Sequence, residues 1–284
     1  VSDVRAKALR FIFCASVLFG CSLAMGQNGK TQEPVRQASP TSRLPAAAPV
    51  GIVLMHGKKG APAYLDQVKT VLEDHGYLVS TPEMCWSANR MYDRIYADCL
   101  TEIDAAVAGL KQRGAKSIVI AGHSLGGGAA IAYGANHDDL VGVIGIAAGD
   151  AFWGPPSLLP DIARAKSLVD KGEGDTRREF EDVSTVGSKP MRTTAAHFLS
   201  FVAQSPSQLM PENAARLRVP LLLIAGTRDM VSLQYETRTY DKVRNHALNR
   251  FVQVEADHNG TLRVGMKDVL DWLASLVRQD PERR

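Results

Sequence analysis

Residues Ile118–Ala130, IVIAGHSLGGGAA, place one serine, Ser124, between an apolar run and a cluster of glycines. Residues 122–126 fit the pattern G-x-S-x-G. With 24 glycines in 284 residues, about one chain in eight of this composition would carry such a match by chance. The pattern therefore takes its meaning from its surroundings. Ser117–Ala121 is a short apolar run rich in isoleucine and valine, which predicts a buried strand, and the small apolar residues of Leu125–Asn136 predict a closely packed helix. Ser124 falls between the two. On so tight a turn its backbone would be strained, and side chains at positions 122 and 126 would collide across it. The helix that follows would aim free N-terminal amides at whatever the serine attacks. The competing reading is a serine that merely caps a helix after a glycine-rich turn.

The same alternation runs along the chain. Val50–Met55, Tyr77–Thr81, Val141–Ala148, Pro220–Ala225 and Phe251–Ala256 are predicted strands. Helices are predicted over Tyr64–His75 and Tyr92–Arg113, around Tyr235–Asn245, and over Val264–Val277. Strands and helices in this order make βαβ units, and so an α/β fold with a mainly parallel sheet of about six strands flanked by helices. Reactive groups in such sheets gather beyond the carboxyl ends of the strands. Ser124 does so, as do Asp229, after the strand LLLIA, and His258, after FVQVEA.

Bulk properties exclude some classes. The formal charge is +3, and taking Arg5, Lys7 and Arg10 against Asp3 out of the totals leaves 30 basic and 29 acidic residues beyond position 26. No basic patch points to nucleic acid. Residues 1–26 carry a positive start, a short apolar run and small residues near a cut, the plan of a secretory signal peptide. Ala24-Met25-Gly26 suits cleavage before Gln27. Leu18–Cys21 is similar to a lipoprotein lipobox and would allow membrane association through a lipidated Cys21, but Phe19 is bulky for that pattern. Export to a periplasmic or extracellular location is the expectation. Residues 27–48, rich in Pro, Ala, Ser and Gln, are expected to be a flexible linker. The globular domain is assigned to 49–280, with a tail at 281–284. In an exported chain the remaining pair, Cys85 and Cys99, favours a disulfide over two buried thiols.

With a serine, an aspartate and a histidine at three strand ends in that order, the chain resembles the α/β-hydrolase fold family over about residues 48–278. The resemblance implies a catalytic triad of Ser124, Asp229 and His258. A serine hydroxyl needs a base to take its proton during attack, and an imidazole that titrates near neutrality can do this and return the proton to the leaving group. Asp229 would hold the useful tautomer, with Asp150 as the rival acid. The resemblance also implies an oxyanion hole from the backbone amides of Lys58 and Leu125, the Lys58 and Lys59 side chains being expected as solvated charge. His56 is expected to fix its own turn, and His123 to point away from the reacting side. The seventy or so residues at 149–219 are expected to form a helical lid, with two short helices over Ile162–Phe180 and another over Thr193–Val202. Trp153 and Phe198 are the candidates for substrate contact, the alternative being a small core within the lid. The expected activity is an exported serine hydrolase, a carboxylesterase or lipase acting on a small-molecule or lipid-like ester. Amide, peptide, thioester or lactone hydrolysis, or ligand binding without catalysis, are the alternatives. No organic cofactor and no metal are implied.

Overall fold

Six apolar runs assemble into one sheet whose strands are all parallel, in a computed structural model that describes residues 49–150, 156–184, 187–203, 208–231 and 235–279. The signal-peptide, linker and tail assignments, and Trp153, lie outside the described residues. In chain order the elements are β1 (Val50–Met55), α1 (Asp66–Asp74), β2 (Leu78–Ser80), α2 (Tyr96–Gln112), β3 (Ser117–His123), α3 (Leu125–Gly134) and β4 (Gly142–Ile146). An insertion follows with α4 (Leu159–Asp170), β5 (Arg177–Ser184), β6 (Gly187–Thr194), α5 (Ala195–Val202) and α6 (Met210–Arg216). The sheet resumes with β7 (Leu221–Gly226), α7 (Tyr235–Arg238), β8 (Arg250–Val254), α8 (Gly260–Val264) and α9 (Met266–Gln279). The strand order is β2-β1-β3-β4-β7-β8.

Successive strand residues point to opposite faces, and both faces are covered. Val53, Ile120, Val143 and Leu223 pack under α2, α3 and the insertion. Ile52, Val119, Ile144 and Leu222 pack under α1 and α9, where Trp272 and Leu273 are buried. Continuous apolar strands follow from burial on two sides. Among the described residues no helix is long and apolar enough to cross a membrane.

The insertion departs from expectation. Its second expected helix is a strand: β5 pairs antiparallel with β6 in a hairpin. Phe180 and Asp182 are buried while Glu179 and Glu181 between and beside them are exposed. That alternation with a period of two belongs to a half-buried strand, although arginine and glutamate favour helices intrinsically. The expected helix around Tyr235–Asn245 is one turn of α7 and a short 3₁₀ turn at Tyr240–Lys242. The expected start of α2 at Tyr92 is displaced to Tyr96, because Cys85 and Cys99 are disulfide-bonded and residues 84–92 turn back on themselves.

Candidate active site

Ser124 sits where β3 becomes α3, with φ 57° and ψ −125°. This left-handed conformation costs a non-glycine residue roughly 1–3 kcal/mol, and its neighbours hold it there. The Ser124 amide donates to the Ile146 carbonyl at 3.0 Å, and the Ser124 carbonyl accepts from the Gly127 and Gly149 amides at 2.8 and 2.9 Å. A Cβ on Gly122 would lie 2.2 Å from the carbonyl group of Gly126, and one on Gly126 would lie 2.6 Å from the carbonyl oxygens of Met55 and His56. The two glycines are thus a steric condition of the turn.

His258, just beyond β8, lies with Nε2 2.8 Å from Ser124 Oγ. Its Nδ1 is 2.9 Å from Asp229 Oδ2 beyond β7. An ionised carboxylate only accepts, so Nδ1 carries the proton and donates to Asp229, and Nε2 is left to accept from the serine hydroxyl. Asp229 is 2% exposed, and its Oδ1 accepts from the Val231 amide at 3.0 Å. The sheet order brings together three groups separated by up to 134 positions.

The rival acid Asp150, the chain neighbour Asp257 and His123 have other partners. Asp150 accepts from the Met210 amide at 2.7 Å, and burial pushes its carboxyl up to about 6. Asp257 accepts from the Gly260 amide. Neither is the carboxylate on the His258 ring. His123, expected to face away, turns toward the site: its Nε2 donates to the His258 carbonyl at 2.9 Å, and the two rings are 5.1 Å apart. Burial lowers its pKa to about 4, so it is neutral near pH 7. The opening pattern gives the position of His123 but not its rotamer, which the β8 loop decides.

Beside Ser124 stands the turn His56–Gly60. His56 is fully buried, and it fixes this turn as expected. Its Nε2 accepts from the Met84 amide, which leaves Nδ1 to donate to the Gly57 carbonyl at 2.8 Å. Trp86 Nε1 donates to the His56 carbonyl at 2.9 Å, and the Lys59 amide donates to the Trp86 carbonyl at 2.8 Å. The disulfide-tied segment therefore backs the turn. The two lysines are a correction. Lys58 Nζ is 2.5 Å from Asp182 Oδ1 and Lys59 Nζ 2.8 Å from Oδ2, with Asp182 almost completely buried on the insertion hairpin. These are ion pairs in the wall of the cavity. Sequence reasoning misses Asp182, since the charged residues around EFEDV suit a helix as well as a strand.

The cavity bordered by these turns measures about 280 Å³. Tyr64, Leu125, Val183 and Val231 are its apolar lining, and Lys58, Lys59, Asp150 and Asn259 its polar lining beside Ser124 and His258. Leu125 is the first residue of α3, so its amide has no partner within the helix. Phe198 does not line the cavity. It is fully buried, stacked on Phe180 with ring centroids 4.4 Å apart, and belongs to the insertion's own core.

Solved structures with the same architecture include a metagenome-derived lipolytic enzyme, with TM-score 0.60, 18% identity, and 82% of this chain and 95% of that one covered. The monoacylglycerol lipase of Paleococcus ferrophilus is similar at TM-score 0.61 and 18% identity, over 80% of this chain and 94% of that one. Est1E from Butyrivibrio proteoclasticus is similar at 0.57 and 18%, over 83% and 90%. Identity this low speaks for the fold alone. No curated protein sequence matches the chain. The model of the alpha/beta hydrolase family matches residues 52–265, a span that takes in the His56 turn, the Ser124 turn and the strand ends bearing Asp229 and His258. On that match, and with a six-stranded parallel sheet behind it, this chain is a member of the alpha/beta hydrolase family.

Proposed function

We propose that the protein is an exported serine hydrolase that cleaves small carboxylic esters through an acyl-enzyme. The observation that carries this reading is the unbroken hydrogen-bond chain from Ser124 Oγ through His258 to Asp229, 2.8 and 2.9 Å long, opening into a cavity. Ser124 attacks the ester carbonyl while His258 Nε2 takes its proton. The imidazolium so formed is stabilised by Asp229 and gives the proton to the leaving alcohol. Water then repeats the sequence on the acyl-enzyme with His258 again as base. The amides of Leu125 and Lys58 are the donors to the oxyanion, and fixed donors of this kind usually form one of the largest catalytic terms.

A cavity of about 280 Å³ lies at the small end of ligand sites, which favours short acyl groups over long ones. The insertion acts as a lid, with Val183 contributing to the cavity wall. Export is supported by the buried Cys85–Cys99 disulfide, a bond that persists in oxidising compartments. The test is a series of p-nitrophenyl esters from acetate to palmitate with Ser124→Ala alongside. Turnover should be greatest for the shortest acyl chains and absent in the variant. A long-chain preference would contradict the cavity argument, and a folded protein inert toward the whole series would favour ligand binding without catalysis.

A further inference from the structure

We propose that Asp182 is a positioning residue for the oxyanion turn, holding the side chains of Lys58 and Lys59 so that the Lys58 amide keeps its aim. The inference rests on the reading of that amide as an oxyanion donor. Side chains of successive residues normally diverge, yet here both ammonium groups reach one carboxylate, at 2.5 and 2.8 Å. They can do so because the backbone reverses between them: Lys59 has φ 53°. Glycine would adopt that conformation freely. A lysine persists there because the surroundings hold it, its amide on the Trp86 carbonyl and its ammonium on Asp182. The shape of the turn and the ion cluster are therefore one arrangement.

The cluster is also closed on its far side. Lys58 Nζ donates to the Val183 carbonyl at 2.8 Å and lies 5.8 Å from the centroid of the Tyr92 ring. The Tyr92 hydroxyl donates to Asp182 Oδ1 at 3.3 Å. Burying a carboxylate is costly, and a buried ion pair is weak evidence for stability. Its value here is geometric, since it ties a catalytic turn to the β5–β6 hairpin that walls the cavity. Displacing the hairpin would displace the donor, and small displacements of a donor weaken transition-state stabilisation more than ground-state binding.

The test is phosphonylation of Ser124 by a fluorophosphonate, followed to saturation so that the maximal rate and the half-saturating concentration are separated. Asp182→Asn keeps the volume and removes the charge. The expected result is a maximal rate lower by about tenfold or more, with half-saturation unchanged within about twofold in a sample folded at the assay temperature. Lys59→Ala leaves Asp182 its Lys58 partner and should lower the rate by a smaller factor, about twofold to fivefold. It carries the test if Asp182→Asn does not fold. Wild-type maximal rates in the folded variants, or a change confined to half-saturation, would overturn the proposal. Failure of the wild-type protein to label at Ser124 would overturn the serine hydrolase reading, and the proposal with it, by a distinct observation.

Discussion

The Ser124 turn and the His56–Gly60 turn pack against one another at the edge of the cavity and are fixed by different means. The first is fixed by backbone: carbonyls and amides of β1, β3, α3 and the residues after β4 crowd it so closely that positions 122 and 126 admit no Cβ. The second has backbone bonds of its own, such as the Lys59 amide on the Trp86 carbonyl, but depends in addition on side chains: His56, Lys58 and Lys59 of the turn itself, Trp86 of the disulfide-tied segment and Asp182 of the insertion hairpin. A turn held by backbone has no side chains in its support to vary. A turn held by side chains can be adjusted from a distance, and the insertion is the part placed to adjust it.

This contrast can be broken from either side. The largest effect is expected at Gly122→Ala, whose new Cβ would meet the Gly126 carbonyl group at 2.2 Å. Overpacking against backbone should cost about 3 kcal/mol or more, read as a lower Tm together with loss of the proposed esterase activity. Replacing both Cys85 and Cys99 by serine opens a loop with a sequence separation of 14. It should lower stability by about 3 kcal/mol in the chain-entropy model and loosen only the side-chain-held turn, so that kcat falls before the protein unfolds. Trp86→Phe removes the hydrogen bond to the His56 carbonyl and should cost about 1–2 kcal/mol in denaturant unfolding.

The smallest effect concerns Asp150 beside the Ser124 turn. Its folded pKa, pushed up to about 6 by burial, exceeds the unfolded value near 4. The native state thus binds more protons than the unfolded state between those values, and this group's contribution to stability declines as pH rises through that window. Asp150→Asn should flatten the decline by about 1 kcal/mol, partial solvent access reducing the full value. Unfolding of both proteins at pH 4 and pH 7 measures it.

The same contrast explains what could be read from the chain. The Ser124 turn was legible because its constraint is local: glycines two residues either side of a serine, between an apolar run and a small-residue helix. Asp229 and His258 were legible by their places after apolar strands. The supports of the other turn were not, because Trp86 reaches His56 and Lys59, and Asp182 reaches Lys58 and Lys59, only once the chain has folded. Period-two burial at Phe180 and Asp182 was hidden by arginines and glutamates that suit a helix equally well. The direction of His123 is not legible locally, because it depends on the His258 carbonyl 135 positions away.

If the proposed mechanism holds, Ser124 becomes acylated during turnover. Mixing the protein with p-nitrophenyl acetate, quenching in acid during turnover and mapping the peptides by mass spectrometry tests it most directly. One acetyl group is expected on the peptide bearing Ser124, absent in Ser124→Ala and scarcely formed in His258→Ala. Sustained ester turnover with no acetyl group at Ser124, or equal turnover by Ser124→Ala, would contradict it.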